Sequence, residues 1–215
     1  DVCITNTNRQ IHALEGAVGK PKVDEMAARI RAINPACRVH AVPDFVTRET
    51  MAEYITEDMD CVIDCIDSVP AKAALIAWCK RRKIQIIATG GAGGQVDPTQ
   101  IQVADLNKTF NDPLAAKVRS LLRREYNFSR TPGRTYSVPC VFSTEQLRYP
   151  KPDGGVCQSK SFVGEGVKPA DFEAIWDGDE KVGDNHCGKL SSTTQCAGEA
   201  GGTTYLVTSA TSKSA

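Results

Sequence analysis

The stretch from Cys61 to Thr89 constrains this chain more than any other. CVIDCI (Cys61–Ile66) is a short apolar run broken only by Asp64. VPAKAALIAWCKRRK (Val69–Lys83) has the pattern of an amphipathic helix ending in four cations, and IQIIAT (Ile84–Thr89) is a second apolar run. A continuous apolar run of this length reads as a strand buried on both faces, and cations in a last helical turn complement the helix dipole. Strand, helix and strand in this order need a crossover connection, which makes the two strands parallel. The expectation is an α/β, doubly wound, mainly parallel sheet with helices on both faces, its central strands being Cys61–Ile66 and Ile84–Thr89.

The flanking segments extend the same rhythm. Between Gly19 and Pro35, residues Val23, Met26, Ala27, Ile30 and Ile33 fall on one helical stripe. Cys37–Val42 alternates like a strand, and TRETMAEYI suggests a short helix with Thr47 as its N-cap. GGAGG (Gly90–Gly94) leads into a strand at Gln100–Val103. Asn111–Tyr126 reads as a helix with Asp112 as N-cap and Pro113 at its first position. Cys140–Pro150 reads as a strand leaving the core. From Pro169 onward there are three Lys+Arg against seven Asp+Glu, and the ending is rich in Ser, Thr, Gly and Ala. Such a stretch buries too little apolar area to offset its ordering entropy. We therefore divide the chain into a folded domain, 1–168, and a tail, 169–215, expected to be mostly disordered.

Composition excludes several classes. The 26 Lys+Arg balance 26 Asp+Glu, which argues against a nucleic-acid binder that depends on bulk charge and leaves a local basic patch open. No apolar run reaches the roughly 18 residues of a membrane span. The nine cysteines are an odd number without a CxxC pair, which points to a reducing compartment and away from a zinc site. The opening DVCITN carries no initiator Met and reads as a chain trimmed at its N-terminus.

Three local features carry chemistry. TNTNRQ (Thr5–Gln10) brings Arg9, and Lys22 follows thirteen residues later near a helix start. A guanidinium and an ammonium that converge suit a triphosphate; a polar loop with a surface lysine is the plainer alternative. Asp67–Ser68 ends the apolar strand, where open α/β sheets bind their ligands. An Asp there holds Mg²⁺ or a ribose, or else merely caps the following helix. GGAGG follows a strand but lacks a Lys-Ser/Thr ending and GxGxxG spacing, so a tight turn is favoured over a phosphate cradle. Cys140 is better read as a buried thiol than a nucleophile. His12, His40 and His186 form no metal-spaced cluster with the cysteines, and His12 is read as structural.

Together, TNTNRQIHAL, VGKPKVDEMAARIRAINP, VIDCIDS, TGGAGGQVDPTQIQVADL and CVFSTE follow the order seen in bacterial tRNA threonylcarbamoyladenosine dehydratases. The chain resembles that family over roughly residues 1–160. These enzymes belong to the ThiF/MoeB superfamily of ubiquitin-activating-like adenylating enzymes, whose sulfur-carrier activators usually read SNLQRQ where this chain has TNTNRQ. The resemblance implies a Rossmann-like ThiF-type (NAD/FAD-binding) fold, incomplete here because the family's GxGGxG loop, first strand and ribose-holding acid would precede Asp1. It implies that Asn6 and Asn8 line an ATP pocket and that Arg9 reaches the triphosphate. Lys22 would stabilise charge as pyrophosphate leaves, and Asp67, with Ser68 beside it, would hold Mg²⁺ at the α-phosphate. Arg9, Lys22 and Asp67 would be the catalytic set.

The implied reaction is an ATP-dependent cyclisation of threonylcarbamoyladenosine in tRNA through an acyl-adenylate. The cofactors would be ATP and Mg²⁺, with no zinc. The implied partners are the modified tRNA, a second copy of the chain in a homodimer and a sulfur-transfer protein. The setting would be cytoplasmic, or mitochondrial in a eukaryote. The alternatives are adenylation of the C-terminus of a sulfur-carrier or ubiquitin-like protein, and a non-catalytic nucleotide-binding fragment. For tRNA contact, two basic groups compete: the Lys80–Lys83 run, which helix-end cations explain, and Arg119, Arg123 and Arg124, whose spacing predicts one broad phosphate-tracking face.

Overall fold

The computed structural model describes residues 1–7, 10–150 and 156–157. The proposed tail, 169–215, lies outside them. Helices form at Lys22–Ile33 (α1), Met51–Tyr54 (α2), Val69–Arg82 (α3) and Pro113–Glu125 (α4). Strands form at Cys61–Asp64 (β1), Gln85–Thr89 (β2), Ile101–Asp105 (β3) and Pro139–Ser143 (β4), with a small hairpin of Tyr149–Pro150 (β5) and Val156–Cys157 (β6). The main sheet runs β1-β2-β4-β3. β1 and β2 pair in parallel with Val62 opposite Ile86, and β2 pairs in parallel with β4 at Ala88 and Cys140. β3 closes one edge antiparallel to β4, a frequent edge arrangement on an otherwise parallel sheet.

The two segments expected to be central are strands and are parallel, but only β2 lies inside the sheet; β1 stands at an edge among the described residues. Helix α4 begins as its sequence dictates: the Asp112 carboxylate accepts the Ala115 amide at 2.8 Å, and Pro113 opens the helix where no amide is needed. α3 and α4 pack on each other and bury Leu75, Ile76, Val118 and Leu122 against Val62, Ile86, Cys140 and Phe142. Full burial of each such side chain is worth about 1.5–3 kcal/mol.

Four expectations need correction. β1 is covered on one face only: Val62 and Asp64 are buried, whereas Ile63 is 54% exposed and Cys61 and Cys65 lie open on the other side. Its apolar run is thus half-buried among the described residues, where helices on both faces were expected. Cys37–Val42 keeps its alternation but forms no ladder, because no described strand offers its backbone groups as partners. β4 does not leave the core. It lies between β2 and β3 with Cys140 and Phe142 turned inward. Ile33, assigned to the apolar stripe of α1, is 75% exposed, while Val23 and Ala27 are buried; the stripe meets the core only along the first turns.

The GGAGG segment turns tightly, as favoured. Gly90 donates its amide to the Val141 carbonyl at 2.8 Å, and Gly91 donates to Asp112 Oδ2 at 3.0 Å. A Cβ on Gly90 would lie 1.9 Å from that oxygen, whereas one on Gly91 would meet Leu114 Cβ at an ordinary 3.5 Å. Asp112 cannot yield, because its other oxygen caps α4. Gly90→Ala is expected to cost roughly 1–3 kcal/mol by overpacking and loss of the cap, and Gly91→Ala far less. Urea unfolding of the two variants checks this.

Candidate functional site

The site begins at the carboxyl end of β1. Asp64, fully buried, accepts the Ile66 amide on Oδ1 at 3.0 Å. Its Oδ2 lies 2.9 Å from Nζ of Lys72, which is 1% exposed. The same Nζ donates to the carbonyls of Ile66 (2.9 Å) and Asp64 (3.3 Å), and Thr89 Oγ1 donates to the Asp64 carbonyl at 3.1 Å. One ammonium thus ties the strand end to the first turns of α3. The chain leaving this knot presents Asp67.

Asp67 does not cap α3. Ser68 holds the N-cap position without a side-chain bond, and its carbonyl accepts the Lys72 amide at 2.9 Å. Asp67 is half-buried, and its Oδ1 is buried with no hydrogen-bond partner among the described residues. Burial pushes its carboxyl above the ordinary range, opposed by nearby backbone amides and by the cations of Lys72 and Lys22. Lys22, the first residue of α1, is 6% exposed. Its charge also reaches His12, whose imidazole is held below its usual pKa first by burial and then by Lys22. Lys22 and Asp67, 45 positions apart in the chain, therefore share one electrostatic neighbourhood.

The N-terminal segment packs beside that lysine. Val2 exchanges backbone hydrogen bonds with Gly19 and Lys20, which lead into α1. Asn6 is fully buried; its Oδ1 accepts the Cys3 amide at 2.9 Å, while Nδ2 has no partner among the described residues. Gln10 Oε1 is likewise buried without one. Asn6 Nδ2, Gln10 Oε1 and Asp67 Oδ1 are thus three buried polar atoms without a partner among the described residues, an uncommon state in folded proteins. Asn8 and Arg9 lie outside the described residues.

Other candidates resolve as scaffold. Burial pushes the Cys140 thiol up to about 11, which suits a packed thiol and not a nucleophile. Arg119 and Arg123 do not form an open face with Arg124. Arg119 turns inward to Thr109 Oγ1 and the Leu106 carbonyl; Arg123 donates to Tyr136 Oη at 2.7 Å and Asn107 Oδ1 at 2.5 Å. Helical spacing was right, but the 105–109 and 129–136 loops fold over two of the three arginines. Only Arg124 is exposed. Sequence reasoning missed Lys72 and Glu145. An Asp inside an apolar strand, followed by a lysine one turn into the next helix, was the available signal for Lys72. Glu145, 5% exposed, accepts the Val96 and Asp97 amides, both at 2.9 Å, and so pins the loop after β2.

The fold is an open, mainly parallel α/β sheet of the Rossmann-like class, with the candidate site at the carboxyl end of β1. The family model described as ThiF family matches residues 1–162, and the chain belongs to that family. It is 56% identical over 171 residues to the tRNA threonylcarbamoyladenosine dehydratase of Escherichia coli (strain K12), covering 80% of this chain and 63% of that protein. It is 45% identical to the enzyme of that name from Bacillus subtilis (strain 168), over 67% of this chain and 54% of the relative. The solved structure "TcdA (CsdL)" superposes with a TM-score of 0.72 at 57% identity, covering 75% of this chain and 63% of that one. The E. coli dehydratase solved in complex with ATP gives 0.67 at 58% identity, over 70% and 62%. The chain thus spans less than two thirds of the length of these relatives.

Removing Lys72 alone leaves Asp64 buried and uncompensated. Lys72→Ala is expected to lower stability by about 3–5 kcal/mol. The double variant Asp64→Asn/Lys72→Met, which keeps an acceptor for the Ile66 amide, should lose less than the single one. A double-mutant cycle in urea measures the difference.

Proposed function

We propose that this chain adenylates the carboxylate of the threonylcarbamoyl group on a tRNA adenosine, using ATP, and that the activated acyl group is then captured by an internal nitrogen. The products are a cyclised, dehydrated nucleoside, AMP and pyrophosphate. The observation that carries the reading is Asp67: a half-buried carboxylate with an orphaned oxygen at a strand's carboxyl end, within the field of the buried Lys22. It gains support from the 58% identity to a dehydratase solved with ATP and with AMP.

Attack of a carboxylate on an α-phosphate crowds negative charge into one place. Catalysis of such a step is chiefly positioning and electrostatic stabilisation. Lys22, buried at the start of α1, would lie against the phosphates and stabilise the charge that builds as pyrophosphate departs. Arg9 would share that charge, and Asn6 Nδ2 would donate to the nucleotide. Ser68, beside Asp67, would border the phosphates. Magnesium, when bound with ATP, would further neutralise the phosphates; the orphaned Asp67 oxygen is a fitting hard ligand for it. No cysteine is needed for this chemistry, which agrees with the packed state of Cys140. The reading carries with it a homodimer, a sulfur-transfer protein partner and a cytoplasmic setting. Among the described residues no helix is long and apolar enough to cross a membrane.

The test is ATP-dependent pyrophosphate release from the purified protein, with tRNA bearing threonylcarbamoyladenosine or with a sulfur-carrier protein as acceptor. Release with the tRNA alone is the expected result. Asp67→Asn and Lys22→Ala should each lower it by about 10²–10³-fold, with the far-UV circular dichroism unchanged. Release with the carrier protein only would assign the chain to the other branch of activating enzymes. ATP binding without release would make it a binding module.

A further inference from the structure

The C-terminal ends of α3 and α4 carry cations that the adenylation chemistry does not use. Three segments meet at Tyr126. The Arg48 guanidinium, from the loop before α2, lies 5.4 Å from the ring centre and donates Nη2 to the phenol oxygen at 2.6 Å. Arg81, in the last turn of α3, lies 5.7 Å from the same ring, and Arg124 stands two residues before it on α4. Next along α3, Arg82 stacks 3.3 Å over Trp78, and Lys83 ends the helix in a left-handed conformation. Arg48, Arg81, Arg82, Lys83 and Arg124 are all exposed.

Three carboxylates answer these five cations: Glu49, which adjoins Arg48 and feels its charge, Glu125 and Glu57. Glu125 lies 3.6 Å from Arg48 and 3.0 Å from Arg124, and Glu57 lies 3.8 Å from Arg82. Among the described residues no carboxylate pairs with Arg81 or Lys83. In a chain of zero net charge, this is a local positive excess. Helix dipoles account for cations in a last turn. They do not account for Arg48, which comes from another segment and is held beside Arg81 on one aromatic ring. Stacking fixes the guanidinium planes before a ligand arrives, and a planar fork suits phosphate oxygens. The cations spread across two helix ends, which fits a chain of phosphates better than a single anion.

We infer that Arg48, Arg81, Arg82, Lys83 and Arg124, organised around Tyr126 and Trp78, form a docking face for the phosphate backbone of an RNA. This rests on the tRNA reading above and gives it a surface. The fourteen residues of α3 separate the face from the Asp67 end by roughly 20 Å. An RNA arm is long enough to bridge that span, and a mononucleotide is not. The face takes the place of the Arg119, Arg123 and Arg124 face, two of whose members are bound within the fold.

The experiment is fluorescence anisotropy of labelled tRNA against the full chain across a salt series, without ATP. Arg81→Ala/Lys83→Ala/Arg124→Ala should flatten the log–log salt slope by about 2–3 units, each phosphate contact being worth nearly one. Glu125→Gln, which releases Arg48 and Arg124 from their acid, should tighten binding. Melting temperatures within a few degrees of the wild type exclude unfolding as the cause. An unchanged slope in the triple variant, or no tRNA binding by the wild type, would overturn the inference. So would loss of binding to phosphatidylserine vesicles with tRNA binding intact, since the face would then be a membrane contact. Because ATP is absent, failure of pyrophosphate release would count against the adenylation reading without touching this result.

Discussion

Everything at the strand-end site hangs on one ammonium, that of Lys72. It is buried and satisfied by the carboxylate and carbonyl of Asp64, the last residue of β1, and by the carbonyl of Ile66 just beyond it. Taking two charges out of water is costly, and a buried pair is retained without net loss only when its geometry is nearly complete. Here it is, and the consequence is rigidity. The chain between Asp64 and Ser68 cannot relax without exposing or orphaning a charge. Asp67 therefore leaves the strand end in a fixed direction, with one buried oxygen that has no hydrogen-bond partner among the described residues.

The surrounding loops obey the same economy. Asp112 uses one oxygen to cap α4 and the other to hold Gly91, which is why only hydrogen fits on Gly90. Glu145 uses one oxygen to gather two successive amides of the loop after β2. Gly94, at φ +73°, brings its carbonyl to the Arg148 amide at 2.8 Å in a conformation that residues with side chains rarely adopt. The Gly-rich segment is thus stitched to β4, to α4 and to the residues beyond. Its glycines serve close packing, while the candidate site groups lie just after β1, on α1 and in the N-terminal segment.

The arginines of α4 show how far a helical pattern carries. Arg119 and Arg123 do fall on one face of the helix, as a 3.6-residue period requires. Whether that face meets water was decided by loops distant in sequence, which offer carbonyl, hydroxyl and amide acceptors at the right depth. The same folding gathered Arg48 and Arg81 at Tyr126, two residues that no spacing rule connects.

The parallel β1–α3–β2 unit was legible in the sequence because short-range physics fixes it: apolar runs, an amphipathic period and a crossover. So was the start of α4, since an Asp–Pro pair makes a local cap. Lys22 and Asp67 were legible as candidates because their residue types and their places at a helix start and a strand end suit phosphate chemistry. Their shared electrostatic neighbourhood, the unpartnered oxygen of Asp67, the inward turn of Arg119 and the one-sided cover of β1 were not legible. Each depends on which segments, tens of residues apart, lie against one another. Pattern determines what an element can bury, and only the packed chain decides what it meets.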